Sequence, residues 1–385
     1  MINRQRLIKL TQKLIRINSE NPPGKETAIV SFLRAYLAGF GLKSRICEFA
    51  KGRPNLIAQL RAKNSQAKTI LISPHLDTVP AGKGWKFPPF KGMIKDGRIY
   101  GRGATDCKCN LAAAVEALNS LVEDRARINN HILFAATADE ESGSGLGLIP
   151  LLKKGVLKAD YALILDSDEF EIIIAQKGLI HFKVSVSGKK AHGAYPDQGI
   201  NAINIACGII RDLEKYKFSF RAHPLLKGPT INTGTIHGGD KVNMVADWCD
   251  FELDLRYLPG MSAKDVLADI KRFIAKRAKK FSREAGSRCA GKIKIDGIQN
   301  PYEIDQRHIL PESLLKCWRG YSKAAGFKGS EGATVITFFK EMGIPAVATG
   351  FGSRGCAHIN DEYVKIENLC RGSEALDEFL RGEIR

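Results

Sequence analysis

Between residues 68 and 178, short apolar runs at Thr69–Ser73, 131–138 and Tyr161–Leu165 are separated by helical stretches such as 111–122. Runs that are apolar on both faces, spaced by helices, predict buried parallel strands joined by crossovers. From 179 to about 297 the pattern changes. Phe182, Val184 and Val186 alternate with polar residues, as do Phe251, Leu253 and Leu255. Successive side chains of a strand point to opposite faces, so this alternation predicts an antiparallel sheet with one wet face. Two helices would cover the other face, one over 201–216 and one within 263–294, where Val266, Leu267, Ile270, Phe273, Ile274 and Phe281 keep helical spacing. After Asn300 the first pattern returns, with an apolar run at 346–351 and a last helix near 366–380. The expectation is an α/β protein: a mostly parallel domain made of 1–178 and 299–385, interrupted by a smaller α+β domain over 179–298 with an antiparallel sheet.

Composition narrows the function classes. The 385 residues are 44% hydrophobic and 26% charged, which excludes collagen-like, disordered and disulfide-scaffold proteins. The first twenty residues keep interrupting their apolar positions with Lys and Arg, so they read as an amphipathic helix and lack the apolar core of a signal peptide. Nine cysteines without regular spacing fit free thiols in a reducing cytoplasm. Charge-free stretches fall well short of the roughly 18 apolar residues of a membrane span, so no membrane partner is expected. The net charge of +18 invites a nucleic-acid reading, yet zinc-finger spacing, RNP-like aromatic motifs and basic-region heptads are lacking, and no nucleic-acid partner is expected. The cations of 263–294 read as the solvated face of a helix.

The chemistry gathers at predicted strand ends. Thr69–Ser73 runs into Pro74-His75-Leu76-Asp77, and residues two apart in extended backbone share a face, so His75 and Asp77 can point into one cleft. The run 131–138 ends in Asp139-Glu140-Glu141. Adjacent carboxylates near a buried strand end need a cation or a proton to offset their charge. Tyr161–Leu165 ends in Asp166-Ser167-Asp168, and the run 346–351 leads to Cys356-Ala357-His358. The glycine-rich Gly101-Arg102-Gly103-Ala104-Thr105-Asp106 enters a helix, with Asp106 placed as a helix cap on the plainest reading. Open α/β sheets bind ligands beyond the carboxyl ends of their strands, where these groups converge.

Taken together, HLDTVP, GRGATDCK, TADEESG, SGKKAHGAYPDQGINAI and AHINDEYV resemble, in order, the motifs of the two-zinc amidohydrolases that include acetylornithine deacetylase, succinyl-diaminopimelate desuccinylase, aminoacylase and glutamate carboxypeptidase. The resemblance implies a zinc-peptidase-like catalytic domain and an inserted lid that usually dimerises, hence a homodimer through the lid. It implies that His75 and Asp166 bind one zinc, that Glu141 and His358 bind the second, and that Asp106 bridges them, with cobalt or manganese as possible substitutes. Asp77 would orient His75 and Glu140 would be the general base. His192 of the lid would stabilise the tetrahedral oxyanion, and Asn243 and Arg256 would hold a substrate carboxylate.

The implied reaction is metal-assisted hydrolysis of the amide of an N-acyl amino acid, in the manner of acetylornithine deacetylase or succinyl-diaminopimelate desuccinylase. The alternative is an exopeptidase or dipeptidase on the same centre, with a short peptide as substrate. Two departures bear on specificity. Relatives often place an acidic residue after a Thr in the loop corresponding to 331–337, where Thr334 is followed by Val335. Cys107 and Cys109 flank Lys108, and Cys356 sits two residues before His358; they read as small buried residues, or as thiols that tune or poison the metal site.

Overall fold

A computed structural model describes residues 1–284 and 291–384. Cys289 and part of the basic stretch 263–294 lie outside the described residues. The chain divides into two compact units. The first comprises Met1–Ile174, Ile304–Lys328 and Val335–Arg385, and the second Ala175–Glu303 and Gly329–Thr334.

The first unit is built on a mixed sheet whose strands follow the order Ser44–Glu48, Pro54–Leu60, His131–Ala136, Thr69–Ser73, Tyr161–Leu165, Ala346–Thr349, Glu171–Gln176. The four runs that the sequence marks as buried strands are the parallel centre: Thr69–Ser73 pairs in parallel with His131–Ala136 and Tyr161–Leu165, which pairs in parallel with Ala346–Thr349. Ser44–Glu48 and Pro54–Leu60 add an antiparallel edge. Ser44–Glu48 is charged and largely exposed, and Pro54–Leu60, though mostly buried, gave no alternation to read in advance.

Helices pack against this sheet. The amino-terminal helix Arg4–Arg16 buries Leu7, Leu10, Leu14 and Ile15, as its amphipathic spacing requires. Lys108–Glu123 is buried on nearly all sides. Its alanines let the closing helix Ile366–Arg381 approach, and Ser373 Oγ donates to the Ala113 carbonyl over 3.4 Å. Trp318 is fully buried among Phe170, Phe351 and Phe379, and its Nε1–H donates to Thr349 Oγ1 at 2.9 Å. Trp318→Ala is expected to cost about 3–5 kcal/mol, because it opens a cavity and orphans the Thr349 hydroxyl. Urea denaturation measures this cost, and a loss under about 1 kcal/mol would contradict the packing described.

The second unit carries a four-stranded antiparallel sheet in the order Thr230–Gly238, Trp248–Tyr257, Gly178–Ser187, Gly291–Gln299. Ile180, Phe182, Val184 and Val186 on one strand and Phe251, Leu253 and Leu255 on the next face the helices Ala202–Leu213 and Ala263–Glu284. Ile205, Ile209, Val266, Ile270 and Ile274 complete that core. The alternation read along the sequence is therefore the pleat of this sheet.

Candidate metal centre

Five segments of the first unit deliver the predicted groups to one place. Past the end of Thr69–Ser73, the His75 ring sets Nε2 at 2.8 Å from Asp106 Oδ1 and 3.8 Å from Asp166 Oδ1. The other oxygen of Asp106, Oδ2, lies 3.0 Å from Nε2 of His358, which in turn is 3.3 Å from Glu141 Oε2. Asp106 thus stands between two imidazoles. Glu140 joins His75 and Asp166 in one group whose ligand atoms lie within 4.8 Å of one another, and Asp106, Glu141 and His358 form another. Asp106, Glu141 and His358 are not held by regular structure. His358 has a positive φ of 64°, and Glu140–Ser142 is one short 3-10 turn entered through Asp139 at φ 67°. Asp106 does not cap the following helix, whose capping position is Cys107.

Buried polar groups set these loops. Asp77 is fully buried, and its carboxylate accepts from the Glu140 and Glu141 backbone N–H groups at 3.1 Å each and from Asn21 Nδ2 at 2.8 Å. It is the Asp77 backbone carbonyl, 3.0 Å away, that lies nearest His75 Nδ1, while Oδ1 is 3.6 Å from it. Asp139 accepts from Asn21, from Leu146 N–H and from Arg53, whose guanidinium is also paired with buried Glu26. Across the site, fully buried Glu362 accepts from Arg102 Nη1 at 2.7 Å and from the N–H groups of Gly103, Thr105 and Asp106 at 3.1, 2.8 and 3.0 Å. Sequence reasoning gave no role to Asn21, Arg53, Asp139, Arg102 or Glu362. Arg102, Asp139 and Glu362 lie inside quoted motifs, so the signal was present; what it lacked was the partner, which is remote in the chain.

The electrostatics of the cluster favour positive charge. Burial pushes the Glu140 carboxyl well up, and the nearby Asp166, Asp106 and Glu141 add to this. Burial disfavours the Asp106 charge too, yet hydrogen bonds from His358 and His75 hold its pKa well down. The bonds to Asp106 and Glu141 raise His358 to about 10. A crowd of carboxylates that favours the charged form of its imidazoles, and pushes one acid toward its neutral form, is a cluster short of cations. Imidazole nitrogen and carboxylate oxygen are the donors that suit zinc, and cobalt or manganese less strongly. The residues therefore fit a pair of divalent ions. Beside them lies a small cavity lined by Ser73, His75, Thr137, Glu140 and Asp166, with buried Val335 as part of its wall.

The remaining candidates belong to the second unit. His192 is exposed, and its Nδ1 accepts from Ala194 N–H at 3.1 Å, which leaves the proton of the neutral ring on Nε2. Gly193 N–H donates to the Asn243 carbonyl at 2.8 Å, and a Cβ on Gly193 would stand 2.9 Å from that carbonyl carbon, so only glycine lets His192 and Asn243 share this corner. Arg256 makes a bidentate pair with Asp254 on its own strand, at 2.6 and 2.8 Å.

Comparison with known proteins agrees with this geometry. Residues 71–382 match the model of peptidase family M20/M25/M40. The chain is 28% identical to an uncharacterized metallohydrolase of Methanocaldococcus jannaschii, over 97% of this chain and 98% of that one. It is likewise 28% identical to the acetylornithine deacetylase of Pasteurella multocida, over 91% and 90%. The crystal structure of aminopeptidase PepT from Bacillus cereus superposes with a TM-score of 0.78 at 26% identity, covering 99% of this chain and 98% of that one. With a family match over most of its length and imidazoles and carboxylates gathered where the strands end, the chain belongs to peptidase family M20/M25/M40 and is a metal-dependent hydrolase of the amidohydrolase and peptidase type.

Proposed function

We propose that the enzyme hydrolyses the amide bond of an N-acyl amino acid, with Glu140 as general base. The observation that carries this reading is the placing of Glu140 beside His75 and Asp166, next to Asp106 held between two imidazoles. In this reading His75 and Asp166 would hold one ion, Glu141 and His358 would hold the other, and Asp106 would serve both. Two divalent ions, zinc in the first instance, would acidify a water and polarise the scissile carbonyl. Glu140 would take a proton from the attacking water and pass it to the leaving amine, so that the amine departs neutral. Asp77 keeps Glu140 in place through the backbone bonds described above. His192 donates its Nε2–H to the carbonyl oxygen as negative charge develops there, and the second unit joins two copies into a homodimer. Asn243 and Arg256 receive the substrate carboxylate, for which Arg256 must exchange Asp254. Val335 leaves an apolar wall where relatives often carry an acid, which disfavours a cationic group of the substrate at that place. The free cysteines among the described residues accord with a cytoplasmic location.

A second reading, an exopeptidase or dipeptidase, is favoured by the likeness to an aminopeptidase structure. Screening the metal-loaded protein against N-acetyl, N-succinyl and N-formyl amino acids and against dipeptides separates the two. Release of an acyl group without dipeptide cleavage supports the deacylase; the reverse supports the peptidase. Turnover of neither class would reject both. Chelation is expected to abolish turnover, and zinc or cobalt to restore it; activity that survives removal of metal would contradict the proposed centre.

A further inference from the structure

Cys107 follows Asp106 directly and is fully buried. Its sulfur accepts from the His75 backbone N–H at 3.2 Å, and its S–H donates to the His75 carbonyl at 3.4 Å. Among the described residues these are the hydrogen bonds of the His75 peptide groups. The neighbouring ladder bonds run from Leu76 N–H to the Thr137 carbonyl and from Thr137 N–H to the Pro74 carbonyl, and so pass His75 by. Buried backbone groups demand partners, so one thiol satisfies the residue that carries the first imidazole. Because Cys107 is joined to Asp106 by a peptide bond, the same thiol ties two candidate ligands, distant in the chain, to one another.

We propose that Cys107 is a positioning residue of the metal centre, which clamps the His75 backbone to the Asp106 segment and so fixes the imidazole against the Asp106 carboxylate. Its sulfur lies within 4.8 Å of ligand atoms of both His75 and Asp106, close enough to govern their spacing. Partners that orient ligands are typically worth 10- to 100-fold in metal affinity. The inference rests on the metal-centre reading above and adds to it a role for the thiol, which differs from direct ligation.

The test compares Cys107→Ala with Cys107→Ser, which leave similar volumes and differ by a hydroxyl able both to accept and to donate. The full-length protein is stripped of metal and titrated with Co2+, read by its visible absorption. Two binding steps are expected in the unsubstituted protein. Cys107→Ala should weaken at least one step about 10- to 100-fold and alter the Co2+ spectrum, while Cys107→Ser recovers most of that loss. Equal losses in the two variants, or no loss in either step, would overturn the clamp. So would a thiolate-to-cobalt charge-transfer band in the unsubstituted protein that both variants lack, since Cys107 would then be a ligand. If the unsubstituted protein takes up no Co2+, the metallohydrolase reading fails together with the clamp. If it takes up two ions and Cys107→Ala is silent, only the clamp fails.

Discussion

Glu140→Gln is expected to lower kcat at least about a hundredfold and to leave metal content and substrate affinity near those of the unsubstituted protein. Glutamine keeps the shape of the side chain and loses the capacity to take a proton from water. General base catalysis is typically worth about 10² to 10⁴ in rate, so the lower bound is conservative. The substitution also removes one carboxylate from a crowd that already drives Glu140 toward its neutral form, so folding stability should not fall. Metal analysis gives a second readout. Glu140 lies within ligand distance of His75 and Asp166, and if it were itself a ligand, Glu140→Gln would release an ion. Near-normal turnover would refute the base, and loss of one ion would reassign the residue.

The second large effect is expected at Glu362, which reacts with nothing. Glu362→Ala should destabilise the protein by about 3–5 kcal/mol and weaken its hold on metal. The stability cost arises because Arg102, only 2% exposed, would keep its charge without its carboxylate partner. Its remaining contacts are carbonyls of Ile359, Pro80 and His358 at 3.4 to 3.5 Å and the ring of Trp85. The metal effect has a different origin: Gly103, Thr105 and Asp106 would lose the acceptor that shapes their loop, and Asp106 is placed by that loop. The double variant Glu362→Leu with Arg102→Met separates the two. It removes the stranded charge, so urea denaturation in chelator should show most of the stability recovered. Co2+ affinity should stay low, because the three backbone donors still lack their acceptor. Recovery of both quantities together would mean that the carboxylate serves the ion pair alone.

Much of this was legible in the sequence because its cause is local. Burial on both faces of a parallel strand demands a continuous apolar run, and the strands at Thr69–Ser73, His131–Ala136, Tyr161–Leu165 and Ala346–Thr349 were found that way. The pleat of the second sheet was readable from Phe182, Val184 and Val186 for the same kind of reason. His75, Glu140, Glu141, Asp166 and His358 were readable as groups that follow apolar runs, and the family resemblance added Asp106, which position alone marked as a helix cap. The structure brings those six together. The antiparallel strands Ser44–Glu48 and Pro54–Leu60 were not read, since their pairing is decided by neighbours and not by their own pattern.

By itself, then, the amino-acid order determined the two kinds of sheet and which side chains could bring metal chemistry, since hydrophobic period and residue type act over a few neighbours. Only the tertiary structure decided how those side chains are held. The Asp77 carboxylate serves the Glu140–Glu141 backbone, Glu362 serves the loop of Asp106, and Cys107 serves His75. Each of these bonds joins residues tens to hundreds of positions apart, and each forms because a buried donor or acceptor must find a partner wherever packing has placed one.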